Sequence, residues 1–138
     1  MNKILITGGA GFIGLAVAEY LSRSPDNIVT IIDNLTRGKM DSDLLALLTR
    51  DNVTFITADL TIQNTFDQLD DYDYIYHLAA VIGVRNVMEN PDRVLYVNAI
   101  STLLLAEACR RMKRLKRVFF SSTSEIYAGT LKHFGVAV

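Results

Sequence analysis

The chain has 138 residues, with 14 Lys+Arg against 15 Asp+Glu, half its residues hydrophobic, two Pro and no Trp. That composition describes one domain able to bury a sizeable core, argues against disorder, and predicts no general affinity for nucleic acid or anionic membrane. A single cysteine, Cys109, allows no internal disulfide, and His77 and His133 lie too far apart in sequence to suggest a zinc cluster.

Met1-Asn2-Lys3 is followed by only three apolar residues, too few for a signal-peptide core, and no run approaches the roughly 18 apolar residues of a membrane span. The expectation is a soluble, cytoplasmic protein in a reducing setting.

In chain order, Ile4-Leu5-Ile6 predicts a strand that closes on glycines, and Phe12 to Leu21 has helical spacing up to Ser24-Pro25. Four more strands are predicted: Ile28 to Ile32 closing on Asp33-Asn34, Val53 to Thr57 closing on Ala58-Asp59, Tyr74 to Leu78 closing on Ala79-Ala80, and Arg117 to Phe120 closing on Ser121-Ser122. Helices are expected at about 41–50, 61–69 and 91–113. Asn90 is expected to cap the longest, with Pro91 at its first position and Asp92 complementing its dipole. Alternating strands and helices predict an α/β fold, a parallel sheet covered on both faces. The basic run from Arg110 to Arg117 is read as complementing the end of that helix rather than as a nucleic-acid patch.

Thr7 to Gly14 carries two glycine spacings, Gly8-Gly11-Gly14 and Gly9-Gly11-Gly14, directly after the first strand and opening the first helix. A dinucleotide-binding turn needs backbone free to take positive φ, no side chain where pyrophosphate approaches, and close packing at the last glycine. The helix start at Gly11-Phe12-Ile13 would supply free N–H groups to phosphate. A turn that merely joins strand to helix is the competing reading. Asp33, 19 residues after Gly14, favours the first. A carboxylate at the end of the second strand can accept from both adenosine ribose hydroxyls and repels a 2′-phosphate, so NAD is preferred to NADP. Arg37 and Lys39 could soften that preference or be solvated loop charges. Asp59-Leu60 is placed to meet adenine, with a purely structural role equally open, and Leu78-Ala79-Ala80 offers small side chains beside the cofactor's path. His77 reads as a packed strand residue rather than a ligand.

Together Thr7 to Gly14, Asp33-Asn34, Asp59-Leu60, His77 to Ala80, Asn98 and Ser121 to Tyr127 resemble the extended short-chain dehydrogenase/reductase family, in that family's order, from residue 1 to about 127. The resemblance implies a Rossmann-like domain holding NAD, in an NAD-dependent nucleotide-sugar epimerase, dehydratase or decarboxylase that transiently oxidises a sugar hydroxyl. It implies that Thr123 hydrogen-bonds the reacting hydroxyl and that Glu125, in a Thr-Ser-Glu sequence like that of UDP-glucuronate decarboxylases, is an acid/base candidate; a surface carboxylate is the alternative for Glu125. Asn98 would bond the main chain of the fourth strand. Val81 to Arg85 resembles a loop near the nicotinamide ribose and sugar, where Arg85 could touch substrate or be solvated.

The family's Tyr and Lys base pair, four residues apart and some twenty to thirty beyond the Ser/Thr motif, has no counterpart here. Tyr127 belongs to the Ser/Thr motif, and its position plus four is Leu131. The expectation is therefore an N-terminal Rossmann domain over 1–138, truncated after about the fifth strand and inert by itself. A UDP-sugar is expected as substrate of the full-length protein, a homodimer is possible, and the flank of the first strand is expected to be an exposed edge. A non-catalytic NAD-binding module and a structural fragment without a cofactor site remain as other readings.

Overall fold

The computed structural model describes residues 1–123. Five strands, β1 (Asn2–Thr7), β2 (Asn27–Asp33), β3 (Val53–Thr57), β4 (Tyr74–His77) and β5 (Arg117–Phe120), form one sheet in the order β3-β2-β1-β4-β5. All four pairings are parallel. This is the Rossmann-like order, in which the chain reverses direction across the sheet beside β1.

The flank of β1 is not an edge. Leu5 is in register with Thr30 on one side and Ile75 on the other, because the crossover after β3 carries β4 back over β1 to its far side. Among the described residues the edges are β3 and β5, and every residue of β5 is exposed.

The strands read as continuous apolar runs because both faces are covered. Ile4, Ile6, Val29 and Ile31 pack with Ala18, Leu44 and Leu47 of α1 (Phe12–Leu21) and α2 (Ser42–Leu47) on one face. The alternate residues Leu5, Ile32 and Ile75 pack on the other face with Phe66 of α3 (Gln63–Asp67) and with Leu105 and Ala108 of α5 (Pro91–Cys109). The period-two switch of side chains along β1 thus divides one apolar run between two cores.

A helix not anticipated from sequence, α4 (Val84–Glu89), follows Gly83, whose φ of 109° a side chain would strain. It buries none of its residues: Val84, Val87 and Met88 share helical spacing, but the helix is only six residues long and that face stays exposed. Asn90 closes α4 with its N–H on Asn86 O and opens α5 with its C=O on Val94 N–H. Its side chain makes no cap, since its backbone is shared between two helices rather than placed for one.

Helix α5 ends at Cys109, with no basic residue in its last turn. Arg110 is the C-cap residue at that end, and the rest of the run lies beyond the helix. It meets an acidic segment: Arg111 pairs with Asp67 at 3.1 Å, and Arg114 and Lys116 both reach the buried carboxylate of Asp73 at 2.7 and 3.1 Å. Asp71 accepts from the backbone N–H groups of Lys113 and Arg114. Asp73 also accepts from Lys3 N–H at 2.9 Å. These hydrogen bonds, Lys3 first, hold the Asp73 carboxyl well below the usual carboxylate range despite its burial.

Among the described residues, no helix is long and apolar enough to cross a membrane.

Candidate functional site

Parallel strands end on the same side of a sheet, and register places Thr57, Asp33, Thr7, His77 and Phe120 in adjoining rows at that carboxyl edge. The loops that follow carry almost every residue singled out from sequence. An edge crevice where strand order reverses is where open α/β sheets bind ligands.

The glycine turn is built by exclusion of side chains. Gly8 has φ +71°, and a Cβ there would lie 2.6 Å from Ala79 N, so the turn lies directly on the segment after β4. At Gly14 a Cβ would lie 2.4 Å from Gly8 O and 2.6 Å from Gly9 Cα, so α1 abuts the turn through backbone alone. Gly9 faces β2, where a Cβ would meet the Ile31 side chain at 2.4 Å. Gly8 N–H donates to Ile32 O at 2.8 Å, which ties the turn to β2.

Gly11 caps α1 without a side-chain bond, and the first intrahelical bond runs from Leu15 N–H to Gly11 O. Phe12 and Ile13 are 94% and 64% exposed. Their N–H groups belong to the first helical turn, which has no intrahelical acceptors, the kind of donor group an anion can take.

Asp33 reaches back across this turn. One carboxylate oxygen accepts from Ala10 N–H at 3.1 Å and the other from Leu35 N–H at 2.8 Å. Each oxygen has a second lone pair for an incoming hydroxyl donor. Leu35 adopts φ 57°, and the loop then folds so that a Cβ on Gly38 would stand 2.6 Å from Ala10 Cβ. Gly38 was not anticipated as part of the site; its only sequence signal is a lone glycine in the loop after the acidic strand end. Arg37 and Lys39 in this loop are exposed, as is Asn34, whose side chain accepts from Thr36 N–H at 3.0 Å.

The other predicted residues divide by environment. Asp59 accepts from both the N–H and the hydroxyl of Thr61 at 2.8 Å, closing its own turn. Leu60 is 7% exposed and packs in the core on the α5 face, so its side chain points away from the crevice. Leu78 and Ala79 are half-buried and Ala80 exposed. Asn98 bonds both backbone groups of Val81, accepting from N–H at 2.8 Å and donating to C=O at 3.0 Å, just beyond β4 rather than within it. Arg85 lies on α4, not in a loop, and pairs with Glu89 at 2.9 Å.

His77 is buried at 3% exposure and stacks on Phe120 with ring centroids 5.7 Å apart. Its Nδ1 lies 2.7 Å from Thr7 Oγ1 and its Nε2 3.4 Å from Thr102 Oγ1. Burial pushes the imidazole below its ordinary value. Thr7 was read only as part of the turn motif, and Thr102 was missed; its signal is a hydroxyl one helical turn after Asn98. Thr123 follows β5 at the same carboxyl edge and is exposed. Glu125 and Tyr127 lie outside the described residues.

The pieces fit NAD on structural grounds: a cradle that any Cβ would fill, an uncapped helix start and a half-buried carboxylate across the turn.

A sequence model of the NAD dependent epimerase/dehydratase family matches residues 4–134. UDP-N-acetyl-alpha-D-glucosaminuronate decarboxylase of Bacillus cytotoxicus is 38% identical over 127 residues, which make up 91% of this chain and 38% of that protein. The UDP-Glc/GlcNAc 4-epimerase structure from Campylobacter jejuni superposes with a TM-score of 0.83 at 31% identity, covering 92% of this chain and 39% of that one. A UDP-glucuronic acid 4-epimerase variant from Bacillus cereus, solved with NAD and UDP-4-deoxy-4-fluoro-glucuronic acid, has a TM-score of 0.79 at 31% identity, covering 91% and 41%. The chain thus spans about two fifths of the length of these proteins, their N-terminal part.

Proposed function

The chain belongs to the NAD-dependent epimerase/dehydratase family, and on that premise we propose that it is the NAD-binding portion of an enzyme that transforms a nucleotide sugar through transient oxidation of a sugar hydroxyl. The observation that carries this reading is the Gly8–Gly14 cradle with Asp33 bonded across it.

The chain's own residues divide the work. Gly8, Gly11 and Gly14 let a pyrophosphate approach backbone, and the N–H groups at Phe12 and Ile13 donate to it. Asp33 takes the adenosine ribose hydroxyls with its remaining lone pairs, while Asn34 sits exposed beside it. Asp59 and the backbone at Leu60 stand on the adenine side, and Leu78, Ala79 and Ala80 give a small-residue passage along the crevice. Asn98 fixes that passage through Val81. NAD supplies the hydride acceptor for the sugar carbon.

Thr123 is proposed to orient the sugar hydroxyl and Glu125 to act as acid/base. A UDP-sugar is the favoured substrate, supported by the relatives above, and the decarboxylase likeness favours a UDP-glucuronate-type sugar. The 138 residues are proposed to supply the cofactor-binding part of that reaction rather than the whole of it. The whole protein is proposed to work in the cytoplasm as a homodimer.

Calorimetric titration of the folded chain with NAD and NADP tests the reading. Saturable binding that prefers NAD is expected. Asp33→Asn should weaken NAD about ten- to hundred-fold, the worth of a hydrogen bond to a charged acceptor, and narrow the preference. A folded chain that binds neither nucleotide overturns it.

A further inference from the structure

Under the crevice, a line of side chains joins the ends of β1 and β4 to α5. Thr102 Oγ1 donates to Asn98 O at 2.8 Å, which commits the only hydroxyl proton Thr102 has. The contact between that oxygen and His77 Nε2 therefore requires the ring to donate. With Nε2 protonated and the ring neutral, Nδ1 is an acceptor, and Thr7 Oγ1 donates to it at 2.7 Å. Thr7 Oγ1 in turn stands 3.4 Å from Ala79 N–H, which donates to it. Every proton in the line then has one direction, from Ala79 through Thr7, His77 and Thr102 to Asn98.

Both ends of the line hold the same stretch of chain. Ala79 N–H is one terminus, and Leu78 N–H donates to Thr7 O at 3.1 Å beside it. The other terminus is the backbone of Asn98, whose side chain clasps both backbone groups of Val81. Residues 78–81 are the segment on which Gly8 rests.

We propose that His77, held as the Nε2–H tautomer between the hydroxyls of Thr7 and Thr102, is a positioning residue that sets the path of residues 78–81 along the crevice. It touches no cofactor; it acts through Thr7 and through Thr102–Asn98. Reversing the tautomer would turn Nδ1–H toward Thr7 and leave Nε2 facing a hydroxyl whose proton is committed elsewhere. Thr7 Oγ1 can accept that proton, but the bond to Thr102 would be lost, and with it the link from β4 through Asn98 to Val81. The consequence for cofactor affinity rests on the NAD-binding reading above; the positioning itself does not.

Long-range proton–nitrogen NMR of the 15N-labelled chain reads the tautomer directly. A proton on Nε2 with Nδ1 bare is expected at neutral pH, and a proton on Nδ1 overturns the proposal. Thr102→Val keeps the side-chain shape and removes the acceptor; His77→Phe keeps the ring stacked on Phe120 and removes both nitrogens. In either variant, hydrogen exchange at Val81 N–H should quicken at least tenfold while that at Leu5 and Ile75 in the sheet stays slow. NAD affinity should fall several-fold with no loss of cooperative melting. Unchanged Val81 exchange in a folded variant overturns the proposal. If the wild-type chain binds no NAD, the cofactor reading fails, and the tautomer and Val81 exchange still decide the positioning. If His77→Phe does not fold, the wild-type tautomer and Thr102→Val decide it.

Discussion

Gly14→Ala sets two effects of opposite sign against each other. Alanine is better than glycine in a helix by about 1 kcal/mol, and Gly14 lies in the first turn of α1, so propensity alone predicts stabilisation. Packing predicts the reverse. The added methyl would lie 2.4 Å from Gly8 O and 2.6 Å from Gly9 Cα, both backbone atoms that cannot swing aside. Ordinary contact requires the helix to withdraw by about 1 Å, and over-packing of this kind costs about 1–3 kcal/mol even where side chains can adjust. Sterics should therefore win. Urea melts should show Gly14→Ala destabilised by about 1–3 kcal/mol, and NAD titration should show at least a tenfold loss, because the withdrawn helix takes its N–H groups away from the turn. Gly11→Ala is the internal comparison: its Cβ would meet Gly8 O at 3.2 Å with no positive φ to violate, so its cost should be clearly smaller. A Gly14→Ala chain as stable as wild type would refute the close approach and show that propensity governs this position.

Other outcomes follow from the packing and the charges. Phe66→Ala empties the largest fully buried side-chain site among the described residues and should cost about 3–5 kcal/mol in urea unfolding, with a loss under 1 kcal/mol showing that α3 does not anchor that core. Asn98→Ala leaves both backbone groups of Val81 without their partner and should cost about 1–3 kcal/mol, read by the same melts, whereas a neutral effect would mean solvent replaces the clasp. Two acid steps are expected in stability against pH. His77 is depressed in the fold, so its contribution is full above the ordinary imidazole range near pH 6.5 and declines as pH falls from there toward its lowered folded value. Asp73 is depressed likewise, so its contribution is present above the ordinary carboxylate range near pH 4 and lost in stronger acid. His77→Phe should remove the first step and Asp73→Asn should reduce the second, and a pH profile unchanged by either would contradict the assignments.

Much of the fold was legible because its signals are local. A strand buried on both faces must be a short apolar run, and Val53–Thr57 and Arg117–Phe120 lie where their β-rich runs end on small or polar residues. A turn that packs backbone on backbone must be glycine, so Gly8, Gly11 and Gly14 advertise the site before any contact is known. Asp33 could be read the same way, as a carboxylate at a strand end at a fixed distance from that turn. Helix ends were less legible. The pattern of α5 continues past Cys109 in sequence, but Arg111, Arg114 and Lys116 turn toward Asp67 and Asp73, residues some forty positions earlier that no local pattern could supply.

What the chain's order of residues determined alone is thus its set of strands, its glycine turn and the acidic strand end, each a consequence of backbone conformation and one-residue chemistry. Only the tertiary structure decided which strands are neighbours. Taking β4 across to the far side of β1 turned an expected open edge into the centre of the sheet and set His77 against Thr7, 70 residues apart in sequence. Side-chain identity is local, but hydrogen-bond partners are set by where a crossover returns, and it is that return that makes a buried histidine into a clasp for the crevice.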